Sequence, residues 1–171
     1  MGPNELAHMI LEIVAYADDE AEDQNRLGTV VIEIASDNLT VTDDGRGTDT
    51  RRDSDGIVVR KPVMATCDIR FFARADAPLL PDGERRRGMS VVAANCAELI
   101  HENRRREGAW AQRYERGVPV SDLVEIGTWT GTGTTVRLGR LDRAVIAGLD
   151  LPTLGSYLRD FTHVEVTVKH R

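Results

Sequence analysis

Two groups of residues in this chain have types and spacing suited to chemistry. The first is Asp43-Asp44-Gly45-Arg46-Gly47. A carboxylate at a strand end accepts hydrogen bonds, and a glycine just beyond it lets the backbone approach a ligand closely. That combination is one way to hold the exocyclic amine of adenine. The second group is Glu12, Tyr16, Asp19 and Glu20, which helical spacing sets along one flank of a single helix. A partly desolvated carboxylate in such a place can activate water as a general base.

The elements that must position these groups follow from hydrophobic periodicity. Leu6, Met9, Ile10, Ile13, Val14 and Ala17 form one apolar stripe, which predicts a helix over 4–24 with Asn4 as its N-cap. Residues 29–35 alternate apolar and polar, Ser36-Asp37-Asn38 is a turn signal, and 39–42 reads as a second strand. This hairpin delivers Asp43 to a strand end. Residues 48–56 are polar and read as loop, 62–72 as a short helix opening at Pro62, and 73–87 as a long loop or lid. A helix is expected over 88–99, strands over 99–103, 110–115, 123–126 and 134–138, a helix over 153–161 and a last strand over 164–168. Gly117-Val118-Pro119 and Gly131-Thr132-Gly133 read as turns. The order implies an α+β sandwich with helices on one face of a mixed sheet. No repeat, low-complexity tract or linker divides the chain.

Bulk properties exclude several classes. A chain of 171 residues fits one domain with a real core. Its net charge of −6 argues against general electrostatic binding to nucleic acid or an anionic membrane. Cys67 and Cys96 fall in segments read as helical, lack metal-site spacing and are expected to be buried thiols of a reducing compartment. No apolar run is long enough to span a membrane and no signal peptide opens the chain, so a cytoplasmic protein is expected. His8 reads as a helix-surface histidine. Trp110 and Tyr114, alternating on a strand, read as packing residues.

Four stretches resemble the ATP-binding domain of the DNA gyrase B and topoisomerase IV B family, within the GHKL (Bergerat-fold) superfamily. They are Leu6 to Val14 continuing through Asp19-Glu20-Ala21, Val41 to Gly47, Tyr114 to Pro119 followed by Thr132 to Arg137, and Leu154 to Arg171. The resemblance covers nearly the whole chain and implies a GHKL two-layer sandwich, with a mainly antiparallel sheet and helices on one face. It further implies one domain over 1–171, without a transducer or TOPRIM domain, which would not act alone as a topoisomerase. Residue by residue it implies that Glu12 is the catalytic general base and that Asp43 accepts the adenine amine. Gly47 approaches the base, the Thr134 hydroxyl supports it, Arg46 pairs with Glu20, and Gly88 belongs to the phosphate lid. Arg106 aligns with a rim arginine.

The departures from the family fall at the phosphate end. Tyr16 stands where the family has a magnesium-binding asparagine, and a phenol is a poor ligand for that hard cation. Arg85, Arg86 and Arg87 replace glycines of a phosphate-cradling lid, where residues bearing Cβ resist positive φ. They read as a solvated lid, or as side-chain phosphate ligands. Arg104 to Arg106 read as exposed strand-end charges, and Asp49 replaces a proline beside the adenine pocket. The resemblance implies ATP as ligand. Tyr16 argues against Mg2+, so the expectation is an adenine-nucleotide binder with weak or absent hydrolysis. The alternative is a nucleotide-free GHKL-fold module that regulates or binds a protein partner, with gyrase itself one candidate; direct nucleic-acid contact is not expected.

Overall fold

The computed structural model describes residues 1–48, 54 and 67–171. The predicted helix over 62–72 lies partly outside them, and Asp49 wholly so.

The first helix, α1 (Pro3–Asp23), begins earlier than predicted. Pro3 has no N–H to satisfy and its fixed φ suits a first helical position, so Gly2 rather than Asn4 is the N-cap. The Glu5 carboxylate accepts the orphan Gly2 N–H. The hairpin β1 (Gly28–Ile34) and β2 (Leu39–Asp43) follows, with Val30 facing Asp43 and Ile34 facing Leu39. After the undescribed stretch come α2 (Met89–Asn95), β3 (Glu98–Arg105) and β4 (Gly108–Glu115). Two-residue strands β5 (Val118–Pro119) and β6 (Val124–Glu125) both pair with β4. The chain continues through β7 (Gly133–Gly139), α3 (Arg143–Ala147), α4 (Leu151–Leu158) and β8 (Val164–His170).

The strands form one sheet in the order β5-β4-β3-β7-β2-β1-β8, with β6 beside β4. Among the described residues only β1 and β8 run parallel. The result is an α+β structure with an open, mainly antiparallel sheet. The core sits between α1 and the inward-facing strand positions. Leu6, Ile10, Leu11 and Val14 of α1 are buried together with Val30, Ile32, Leu39, Val41, Leu99 and Leu138. Each such side chain contributes about 1.5–3 kcal/mol by leaving water.

Several boundaries depart from expectation for local reasons. Helix α2 stops at Asn95 because Cys96 is already extended, with φ −94° and ψ 140°, and Leu99 joins the alternating inward face of β3. Residues 67–72 form turns rather than helix. There the Asp68 carboxylate accepts the Arg70 N–H at 3.0 Å, a local bond that competes with helix formation. Val118 and Pro119 do not form the expected turn; they pair with Glu115 and Tyr114. The short α3 has no counterpart among the expected elements, although Asp142 caps it by accepting the Ala144 N–H at 2.8 Å. Asp150 caps α4 through Thr153, and the helix starts at Leu151, two residues before the predicted start.

The cysteines also divide. Cys96 is buried, which pushes its thiol up to about 12. Cys67 is exposed and non-helical, contrary to expectation.

Candidate functional site

Asp43 ends β2 and turns its side chain toward β7. Its Oδ1 accepts two backbone N–H groups, from Gly45 at 2.8 Å and from Thr134 at 3.1 Å. Burial pushes the Asp43 carboxyl upward, and those two N–H groups and the Arg104 charge oppose that shift. Oδ2 has no partner among the described residues. Asp43 borders a cavity of about 170 Å³, with Gly47 and Thr134 beside it and Ile13, Met89 and Val136 supplying apolar walls.

Thr134 serves Asp43 through its backbone amide; the hydroxyl contact expected of it is with a ligand. Two glycines permit this close assembly. Gly47 has φ +76°, and a Cβ there would stand 2.5 Å from the Arg104 carbonyl oxygen. It is thus required for packing against β3 as well as for any approach to a ligand. Gly133 has φ +136°, and a Cβ there would stand 2.0 Å from the Asp43 carbonyl oxygen. In the sequence Gly133 signals only a turn.

At the cavity rim, Arg46 clasps Glu20 with two charge-assisted hydrogen bonds, at 2.6 and 2.9 Å. The Arg46 side chain holds the Glu20 carboxyl below its usual value. Arg106 is exposed and does not border the cavity. Its neighbour Arg104 reaches inward and donates to the Thr135 hydroxyl at 2.8 Å, so the triplet is not uniformly a set of exposed charges.

Glu12 is almost fully buried, but not in this cavity. Its Oε1 accepts the Arg87 N–H, and its Oε2 accepts the Gly88 N–H at 3.2 Å. Glu12 instead borders a groove of about 480 Å³. His8 lies in that groove between two carboxylates, 2.7 Å from Asp82 and 3.6 Å from Glu12. His8 is therefore a part-buried side chain held beside carboxylates and not a free surface histidine.

Tyr16 lines the cavity and stands one helical turn beyond Glu12 on α1. The Tyr16 hydroxyl donates to Asp68 at 2.8 Å, and Phe71 meets the Tyr16 ring edge-on at 6.1 Å. Burial, followed by that bond to Asp68, raises the phenol above its ordinary range, so Tyr16 stays protonated. The Arg70 side chain holds Asp68 down at about 2. Arg86 stacks over both rings, 4.0 Å from the Phe71 centroid and 4.9 Å from that of Tyr16, and donates to Asp19 at 2.8 Å. Only 5% of Arg86 is exposed, which overturns the reading of residues 85–87 as a wholly solvated lid. Aromatic faces supply the contact that water would otherwise give. Arg85 and Arg87 are both exposed, and Arg85 donates to the Ala77 carbonyl at 2.8 Å.

The structure thus brings together Asp43, Gly47, Thr134 and Glu20 with its partner Arg46, and sets Glu12 and Gly88 apart from them. Among the described residues no group of His, Cys, Asp or Glu is placed to hold a metal ion. Sequence reasoning missed His101, which also borders the cavity. Its alternation with Leu99 and Asn103 along β3 carried the signal. It missed the Tyr16–Phe71–Arg86 stack as well, for which no local signal exists.

This chain is similar to the DNA gyrase B protein of Mycobacterium tuberculosis, 32% identical over 136 residues. The similarity is to part of gyrase B. The match covers 80% of this chain and 20% of that protein. The DNA gyrase B protein of Staphylococcus aureus is 31% identical over 134 residues, covering 77% of this chain and 21% of the relative. The chain thus spans about a fifth of the length of the curated relatives it matches. No family model matches it. No described helix is long and apolar enough to cross a membrane.

Proposed function

We propose that this chain is a gyrase-B-like, adenine-nucleotide-binding domain of the GHKL type that binds ATP with weak or absent hydrolysis. The observation that carries the reading is the Asp43 carboxylate. One oxygen is fixed by two backbone donors, and the other is left without a partner beside an apolar-walled cavity. An amine edge of a flat heterocycle satisfies that oxygen, and the apolar walls take its faces. The cavity, about 170 Å³, is smaller than the roughly 300–1,000 Å³ of sites for larger ligands, so it suits a base rather than a whole triphosphate.

Weak hydrolysis follows from the other end of the site. Glu12 is almost fully buried and each of its oxygens already accepts a lid amide, which restricts the approach of an attacking water to it. Tyr16 is a protonated phenol bonded to Asp68, which does not suit Mg2+ coordination. Asp43, Gly47 and Thr134 would hold the base, with the Glu20–Arg46 pair at the rim. Gly88 would reach phosphates only by leaving Glu12.

Calorimetric titration with ATP, with and without Mg2+, tests the reading. Millimolar or tighter binding that Asp43→Asn removes is the expected result, and Mg2+ should change it little. Absence of binding at millimolar ATP, together with indifference to Asp43→Asn, would sink it. Tyr16→Asn should introduce some Mg2+ dependence if Tyr16 alone displaces the metal.

One observation favours the second reading, a nucleotide-free module for regulation or protein binding. The Tyr16–Phe71–Arg86 stack fills the place expected for phosphates. A nucleotide retained through purification, or a melting shift with ATP, counts against that reading.

A further inference from the structure

We propose that His101 is a second ligand-contacting group of the same cavity, and that with Asp43 it selects a purine base. The inference rests on the adenine-pocket reading above and adds to it a residue and a specificity.

His101 lies on the inward face of β3 with 9% of its surface exposed, and it borders the cavity. Neither ring nitrogen has a partner among the described residues, yet neither is sealed from all contact. Polar groups this deeply placed are ordinarily hydrogen-bonded, so an imidazole left open onto a cavity points to something that enters it. Burial pushes the ring down to about 4, so it is neutral near pH 7. A neutral imidazole offers one N–H donor and one acceptor.

Sheet register places the two polar groups on opposite sides of β7. Val136 faces Val41 of β2 on one side and His101 of β3 on the other. Asp43 lies two residues beyond Val41. Two strand spacings across and two residues along put the Asp43 and His101 Cα atoms roughly 12 Å apart. Val136 lies between them, with Ile13, Ala17 and Met89 completing the apolar lining. The cavity is thus a slot for a flat ring system with a carboxylate at one end and a neutral imidazole at the other. An aminopurine presents an amine to the first and a ring nitrogen to the second. A single six-membered ring reaches one of them.

The test is calorimetry on the full chain with adenine, cytosine and ATP, using native protein, His101→Leu, His101→Gln and Asp43→Asn. The native protein should bind adenine at least tenfold more tightly than cytosine. His101→Leu should weaken adenine about tenfold, the size of one hydrogen bond. His101→Gln, which keeps a donor and an acceptor, should stay within about threefold of native. On native protein, adenine should also shift the His101 ring signals in proton–nitrogen NMR, a readout independent of how the variants fold. Unmoved ring signals, unchanged adenine affinity in a folded His101→Leu protein, or equal affinity for cytosine would each overturn the proposal. If His101 is indifferent while Asp43→Asn abolishes binding, this inference falls and the adenine-pocket reading stands. If native protein binds neither adenine nor ATP, both fall.

Discussion

Replacing Arg86 by methionine should leave the protein as stable as before, or more stable, although the arginine is buried and doubly stacked. The contributions can be weighed separately. The bond to Asp19 is short, at 2.8 Å, but the Asp19 side chain is 43% exposed, so solvent screening limits the pair to less than about 1 kcal/mol. The stacks on Phe71 and Tyr16 contribute about 0.5–2 kcal/mol each. Against them stand Nε and Nη2, buried without hydrogen-bond partners, at about 1–3 kcal/mol each. The desolvated charge adds a further cost. Methionine fills a similar volume and makes sulfur–ring contacts of about 0.3–1.5 kcal/mol. The expected change in a urea titration runs from zero to about 2 kcal/mol of added stability. In a chain of this size each kcal/mol moves the melting temperature by about 2–4 °C. Arg86→Ala keeps none of the packing and should cost about 2–4 kcal/mol. A loss above about 2 kcal/mol in Arg86→Met would refute this accounting and make the ion pair itself the support of the segment.

Further expectations concern the cavity. Asp43→Asn turns the free oxygen position into an amide competition and should cost about tenfold or more in adenine affinity, read by calorimetry, because bonds to a charged acceptor contribute about 1.5–3 kcal/mol. Gly133→Ala should destabilise by about 2–4 kcal/mol in urea, since its Cβ would stand 2.0 Å from the Asp43 carbonyl oxygen at a left-handed φ. Stability should also fall as pH drops from about 6.5 to about 4, the ordinary and folded values of His101. The unfolded chain takes up that proton first, so the imidazole's contribution is intact above 6.5 and lost as pH falls through the folded value. The fall is about 3 kcal/mol, and His101→Gln should flatten that part of the urea-midpoint profile.

What the sequence disclosed was local. Leu6, Ile10 and Val14 announce α1 by their spacing, and Val30, Ile32 and Val41 announce the hairpin by alternation, because both patterns repeat over a few residues. The stretch from Asp43 to Gly47 was legible for the same reason. The stack was not, since Tyr16 meets Asp68 across 52 residues and Arg86 meets Asp19 across 67. A triplet of arginines looks solvated until aromatic rings are known to cover one of them. The position of Glu12 on α1 follows from helical spacing. The partners that occupy it, the Arg87 and Gly88 amides, belong to a distant segment whose path no periodicity records.

The position of β7 in the sheet has a consequence for how the cavity is lost. Three strands lie to one side of it and three to the other, with β6 attached beyond β3. Thr134 and Val136 therefore belong to the strand farthest from either margin. Brief openings that start at β5, β6 or β8 expose those margins to solvent exchange without disturbing the floor on which a ligand would rest. The Thr134 amide, bonded to Asp43, should then be among the slowest to exchange for deuterium. The floor of the cavity would disappear only in the event that dismantles the whole sheet.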